Sequence, residues 1–266
     1  MPTLTVSLAF VAATREPIVR TATVGLADWP VGQRPLLLLL LSDIHVAGPD
    51  MPPARVTRLV RQINQLSPDF VLIAGDFISD KRIATRRYSL DEAIAPLAAI
   101  DARFGSFAAL GNHDHWRDAA EARSALARAG IRVLNNSAER AGPIAVGGLD
   151  DDFTGRADPS ATLAAMRRVG GAKILLSHSP DPFPDLPAEV GLMVAGHTHC
   201  GQISFPVIGP LATMSRYGKR YACGIVREGG RTLIVSAGVG TSLLPLRIGV
   251  PPDMWLIRVG PIAEKR

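Results

Sequence analysis

Six leucines in a row, residues 36–41, run into Ser42-Asp43-Ile44-His45. A short apolar run that stops abruptly at polar residues predicts a strand buried on both faces, as in parallel sheets. The pattern recurs. Residues 70–74 run into Gly75-Asp76, residues 107–110 into Gly111-Asn112-His113-Asp114, residues 174–176 into Ser177-His178, and residues 192–195 into Gly196-His197-Thr198-His199. Five apolar strands thus deliver polar side chains at the same end. The chain has six histidines, and all but His115 lie at these strand ends.

The segments between these strands read as helices. Val56, Leu59, Val60, Ile63 and Leu66 fall at helical spacing, Asp50 is a candidate N-cap, and Ser67-Pro68 is the stop. Ser89 and Glu92 stand at capping-box spacing ahead of a helix reaching about Ile100. Residues 116–129 read as a helix closed by Gly130, and residues 161–169 as another. Residues 17–24 alternate as an edge strand, and residues 131–134 and 144–146 are short strands. Beyond Gly201 the chain becomes Pro- and Gly-punctuated, with strands at 224–227, 232–236 and 254–259 that read as a second sheet packed on the first. The expected architecture is α/β in four layers, two packed mixed sheets flanked by helices. A single domain over residues 1–266 is expected, with an edge-strand lead-in (1–35), a ligand-bearing core (36–200) and second-sheet strands (201–266).

Composition changes this picture little. With 20% charged and 47% hydrophobic residues the chain is that of an ordinary globular protein. A net charge of +5 and a pI near 9.7 suit a phosphorylated substrate or an anionic membrane as well as nucleic acid. The basic residues are scattered, however, and aromatics make up only 5%, so no obligatory nucleic-acid partner is expected. Two cysteines give no disulfide framework and predict a reduced, cytoplasmic setting. Residues 4–13 are apolar but fall short of the about 20 residues a membrane span needs. Peripheral contact with the cytoplasmic face of the inner membrane stays open.

The chemistry lies at the strand ends. If the first strand continues past residue 41, Asp43 and His45 point to one side and form half of a metal site. Aspartate, histidine and asparagine together suit hard or borderline divalent ions, with manganese favoured and iron, zinc or a mixed pair permitted. Seven candidate ligands, Asp43, His45, Asp76, Asn112, His178, His197 and His199, exceed the needs of one tetrahedral ion. They suit two ions about 3.5–4 Å apart sharing a carboxylate. Such a pair can hold a hydroxide at neutral pH and neutralise a phosphoryl group under attack, so phosphoester hydrolysis is the natural reaction.

In order and spacing these five blocks resemble the calcineurin-like metallophosphoesterases. The resemblance implies that Asp43, His45 and His199 bind one ion, that Asn112, His178 and His197 bind the other, and that Asp76 bridges them. It also implies that His113 stands beside the leaving group, with Asp114 orienting its ring as an imidazolium. The later segments, residues 215–218 and 238–242 with Pro245-Leu246-Arg247, resemble a bacterial branch. That branch contains membrane-associated phosphodiesterases and a UDP-2,3-diacylglucosamine pyrophosphatase of lipid A synthesis.

The expected substrate is a phosphodiester or pyrophosphate, either a phosphorylated small molecule or a lipid-linked nucleotide such as UDP-2,3-diacylglucosamine. Phosphomonoesters, cyclic nucleotides and phosphoproteins are alternatives within the class, and a noncatalytic metal-binding scaffold is the alternative outside it. His115 reads as a loop residue and Cys200 as a small buried thiol. Lys81, Arg82, Arg216, Lys219 and Arg220 could meet a substrate phosphate, although solvated charged loops are the commoner role of such residues.

Overall fold

In the computed structural model, which describes residues 2–81 and 83–262, the chain opens with helix α1 (Pro2–Thr14) and strand β1 (Ile18–Leu26). The leucine run is β2 (Leu36–Leu41), followed by α2 (Pro53–Gln65), β3 (Phe70–Ala74) and α3 (Leu90–Ile94). Next come β4 (Ser106–Ala109), α4 (Asn112–Arg128), β5 (Ile131–Val133), β6 (Ser137–Ala141) and β7 (Ile144–Gly148). Then follow α5 (Pro159–Val169), β8 (Ala172–Leu176), β9 (Leu192–Ala195) and a small ribbon of β10 (Ser204–Phe205) and β11 (Gly209–Pro210). The chain closes with β12 (Gly224–Glu228), β13 (Arg231–Val235) and β14 (Asp253–Pro261).

Two six-stranded sheets form, in the orders β1-β14-β2-β3-β4-β5 and β12-β13-β9-β8-β7-β6. In the first, β2 to β5 are parallel and β14 runs antiparallel to β2. In the second, β7, β8, β9 and β13 are parallel, with antiparallel edges. The leucine run explains the packing. Leu36, Leu38 and Leu40 enter the layer between the sheets, whereas Leu39 and Leu41 pack under the helices on the other side. A third cluster, with Met166, Phe183 and Met193, lies on the outer face of the second sheet. The four-layer α/β architecture of two mixed sheets flanked by helices is therefore present.

Several local expectations change. The strand at 254–259 is not in the second sheet: β14 returns to the first and pairs with the leucine strand, Ile257 opposite Leu38. Conversely, the second sheet draws its central strands β8 and β9 from before residue 201. Asp50 does not cap α2, whose N-cap is Pro52 with Pro53 in the first turn. Asp50 is instead buried against Lys81 Nζ, at 2.7 and 2.9 Å, and accepts from Thr241 Oγ1. The capping box of Ser89 and Glu92 forms as expected, but α3 tightens into a 3₁₀ turn at Ala95–Ala99, where Pro96 interrupts it. The helix expected from Trp116 starts at Asn112 and breaks at Asp118, whose carboxylate accepts from Ala120 and Glu121 amides at 2.9 Å and caps the following turns.

Candidate metal centre

The parallel strands of both sheets end at one edge, and the seven candidate ligands gather there. They do not arrive by strand pleat, since β2 stops at Leu41. Asp43, His45, Asp76, His197 and His199 all adopt left-handed backbone with φ between 49° and 69°, a conformation that costs non-glycine residues of order 1–3 kcal/mol and concentrates at functional sites. The surroundings impose it. The Asp43 amide donates to Gly75 O at 3.1 Å and the His45 amide to Asp76 O at 2.9 Å, while Val239 and Gly240 amides donate to Ser42 and Asp43 carbonyls from the opposite side. Gly196 has no room for a side chain: a Cβ there would collide with Ser42 and Asp43.

Asp43, His45 and His199 offer ligand atoms all within 4.8 Å of one another, as do Asp43, Asp76 and His178, and also His45, Asp76 and His113. Asp76 Oδ2 is central, 3.4 Å from His45 Nε2 and 3.2 Å from His178 Nε2. On one side His45 Nε2 faces His199 Nε2 at 3.1 Å, and Asp43 Oδ1 lies 3.4 Å from His199 Nε2. On the other, His178 Nε2 meets His197 Nδ1 at 3.1 Å and Asn112 Oδ1 at 3.2 Å. The N-terminus of α4 points at this cluster, and the His113 amide donates to Asp76 Oδ1 at 2.9 Å.

The donor set fits cations. Burial pushes the imidazoles of His45 and His199 well below their usual pKa and that of His197 down to about 3, leaving them neutral with lone pairs to give. Burial alone would raise the Asp76 carboxyl, but His178, His45 and His113 around it hold it well below its usual range. Burial raises Asp43 to about 6 against the opposing pull of His178, with the Asp76 charge adding to the rise. Facing imidazole nitrogens and desolvated carboxylates in one space form an assembly that positive charge would relieve. His45 Nδ1, His197 Nε2 and His199 Nδ1 are buried without a hydrogen-bond partner among the described residues.

Other expected residues fall elsewhere. Asp114 does not touch the His113 ring. Its carboxylate accepts backbone amides of Asp76 and Gly111 on Oδ2 and of Phe77 on Oδ1, at 2.8–2.9 Å, and so fastens two ligand-bearing turns together. The ring's carboxylate partner is Asp80, 3.3 Å from His113 Nδ1 and also 3.2 Å from Arg117. Asp80 carries no spacing signal in its polar stretch, and only the turn after β3 brings it to the ring. His115 pairs with Asp150 at 2.7 Å. Lys81 is buried rather than solvated, and Arg82 lies outside the described residues. Arg216 meets Asp152 and Asp181, Arg220 meets Glu228, and Lys219 donates to Ile208 O.

Cys200 is not a thiol. It bonds to Cys223 and ties the turn carrying His199 to the start of β12. Two cysteines 23 positions apart gave no pairing signal, because the turn after β9 alone brings them together. By loop-closure entropy the bridge contributes about 3 kcal/mol. Urea unfolding of Cys223→Ser, or of the reduced chain, should show a loss of that order, and an unchanged midpoint would contradict it.

A cleft of about 340 Å³ opens over the centre, with Asp76, Asn112, His113, His197 and His199 among its lining. Its other lining is mainly apolar: Ile203, Leu211, Met214, Leu243 and Leu244, with Trp116 and Phe153. Trp116 packs edge-on to His113 at 4.9 Å, and Phe153 lies 4.7 Å from His197. None of these apolar residues stood out in the sequence, since all but Trp116, near the start of α4 after the candidate ligand Asn112, come from loops without periodicity.

Residues 36–201 match the family model of the calcineurin-like phosphoesterases. An uncharacterized metallophosphoesterase of Bacillus subtilis is 33% identical over 74% of this chain and 69% of its own. A Danio rerio transmembrane protein with a metallophosphoesterase domain is 30% identical over 90% of this chain and 56% of its own. The chain thus spans little more than half of that relative. Among solved structures, the NAD nucleotidase of Haemophilus influenzae aligns with a TM-score of 0.47 and 17% identity, over 77% of this chain and 51% of that one. With the family model covering well over half of its length, the chain belongs to the calcineurin-like phosphoesterases.

Proposed function

We propose that the protein is a dinuclear metal-dependent hydrolase of phosphodiester or pyrophosphate bonds, acting on an amphiphilic substrate of which UDP-2,3-diacylglucosamine is an example. The observation that carries this reading is the meeting of six residues with nitrogen and oxygen donors around Asp76, below a cleft walled by apolar side chains. Asp43, His45 and His199 would hold one ion, and Asn112, His178 and His197 the other, with Asp76 between them. Manganese is the favoured metal. Bound there, the ions would polarise the phosphoryl group and supply a nucleophile at neutral pH.

The chain's own groups do the rest. His113 has one ring nitrogen against Asp80, leaving the other to hold or release a proton beside the leaving group. The apolar wall of Leu211, Met214, Leu243 and Leu244 supports acyl chains while restricting water near the centre. The Cys200–Cys223 bridge favours an oxidising compartment over the cytoplasm expected from the cysteine count.

Protein loaded with manganese should hydrolyse bis-p-nitrophenyl phosphate, and UDP-2,3-diacylglucosamine faster. Stripping with chelator should abolish turnover, and manganese should restore it. Melting should also respond, since an ion at a hundred times its dissociation constant stabilises a folded chain by about 2.7 kcal/mol. Failure of the loaded protein on a broad ester panel, with no calorimetric signal for divalent ions, would overturn the reading.

A further inference from the structure

The cleft's apolar wall continues outward onto the surface. The β10–β11 ribbon projects with Val207 and Ile208 at its tip, Val207 as exposed as in an extended chain, and Leu211, Met214 and Leu243 are each more than half exposed. Apolar area of this kind on a folded surface marks an interaction site.

Three segments build this face and are bound to one another. The Ser204 amide donates to Ile248 O at 2.9 Å, and the Gln202 side chain holds Leu244 O and Leu246 O at 3.0 Å. The Arg247 amide donates to Ala9 O at 3.0 Å, which joins α1 with its exposed Leu8 and Val11. The occupant is indicated by charge. Residues 2–15, 201–227 and 237–252 contain no aspartate or glutamate, yet carry Arg15, Arg216, Lys219, Arg220, Arg227 and Arg247. Arg247 is buried, and Arg216 and Arg220 are paired with acids from outside these segments, which leaves Lys219, bound to Ile208 O, as the cation at the tip. Apolar side chains projecting from segments that have no carboxylate of their own, with Lys219 beside them, complement an anionic lipid bilayer, where the chains enter the interface and the cation meets headgroup phosphates.

We propose that the β10–β11 ribbon, with Leu243 and Leu244 beside it, docks the protein on an anionic membrane surface with the mouth of the cleft facing the lipid. This docking is independent of the hydrolytic reading and is tested without turnover of a lipid substrate. The full chain should sediment with vesicles of phosphatidylglycerol and phosphatidylcholine. The double variant Val207→Asp/Ile208→Asp, which leaves the cleft lining intact, should partition about a hundredfold more weakly. Its near-ultraviolet circular dichroism and its hydrolysis of bis-p-nitrophenyl phosphate should match the parent. Lys219→Glu should weaken binding to anionic vesicles and leave binding to phosphatidylcholine alone unchanged. Parent protein that ignores vesicles, or a double variant that binds them equally well, would overturn the proposal. So would a parent dimer that the double variant dissociates, since the face would then belong to a second copy of the chain.

Discussion

Asp76→Asn is expected to lower phosphoester turnover about a thousandfold or more, because in the proposed two-ion centre the several kcal/mol that the ions would contribute depend on one shared carboxylate. Asparagine keeps the volume and can still accept from the His113 amide, which now donates to Asp76 Oδ1 at 2.9 Å. It loses the charge that sits 3.4 Å from His45 Nε2 and 3.2 Å from His178 Nε2. The bare chain should therefore fold, while its metal content after loading, read by elemental analysis, should drop and the thermal gain from manganese should shrink. A variant with full metal content and parental turnover would remove Asp76 from the centre of the site.

Loss of His113 comes next in size, with His113→Ala expected to cost about 10²–10⁴-fold in turnover if the imidazole donates the proton. The informative partner is Asp80→Asn. Burial by itself lowers the His113 imidazole, but its hydrogen bond to Asp80 and the charges of Asp76, Asp80 and Asp114 outweigh burial and raise it above its usual value. A proton donor works below its pKa, so the rate should fall as pH rises through that of His113. Removing Asp80 lets burial count for more and lowers that pKa. The alkaline limb should then move to lower pH, and turnover near neutrality should fall roughly 10- to 100-fold, as for other groups that orient a reacting residue. Asp114→Asn should behave differently. One of the oxygens that accept three backbone amides becomes a donor, so folding stability should fall by about 1–3 kcal/mol. An Asp80→Asn profile that overlays the parent would return the orienting role to Asp114.

Much of this site was legible because apolar runs and the polar residues that end them are local signals. Buried parallel strands must be apolar along their length, and chain polarity puts their carboxyl ends at one edge. The runs before Asp43, Asp76, Asn112, His178 and His197 therefore announced both the sheets and the place where the candidate ligands meet. What those runs could not carry is which sheet a strand joins. Strand β14 looks like its neighbours in composition, yet it lies between β1 and the leucine run in the first sheet, a long-range pairing that no local pattern specifies.

The sequence by itself determined the strand-and-helix alternation, the set of candidate ligands and the class of chemistry, since each depends on residue types at short spacing. Only the tertiary structure decided the left-handed turns that aim the ligands, the partnership of Asp80 with His113, the Cys200–Cys223 bond and the apolar rim of the cleft. Each of these joins chain segments without periodicity, or separated by tens of residues, and such contacts exist only once the two sheets have packed and brought their loops to one edge.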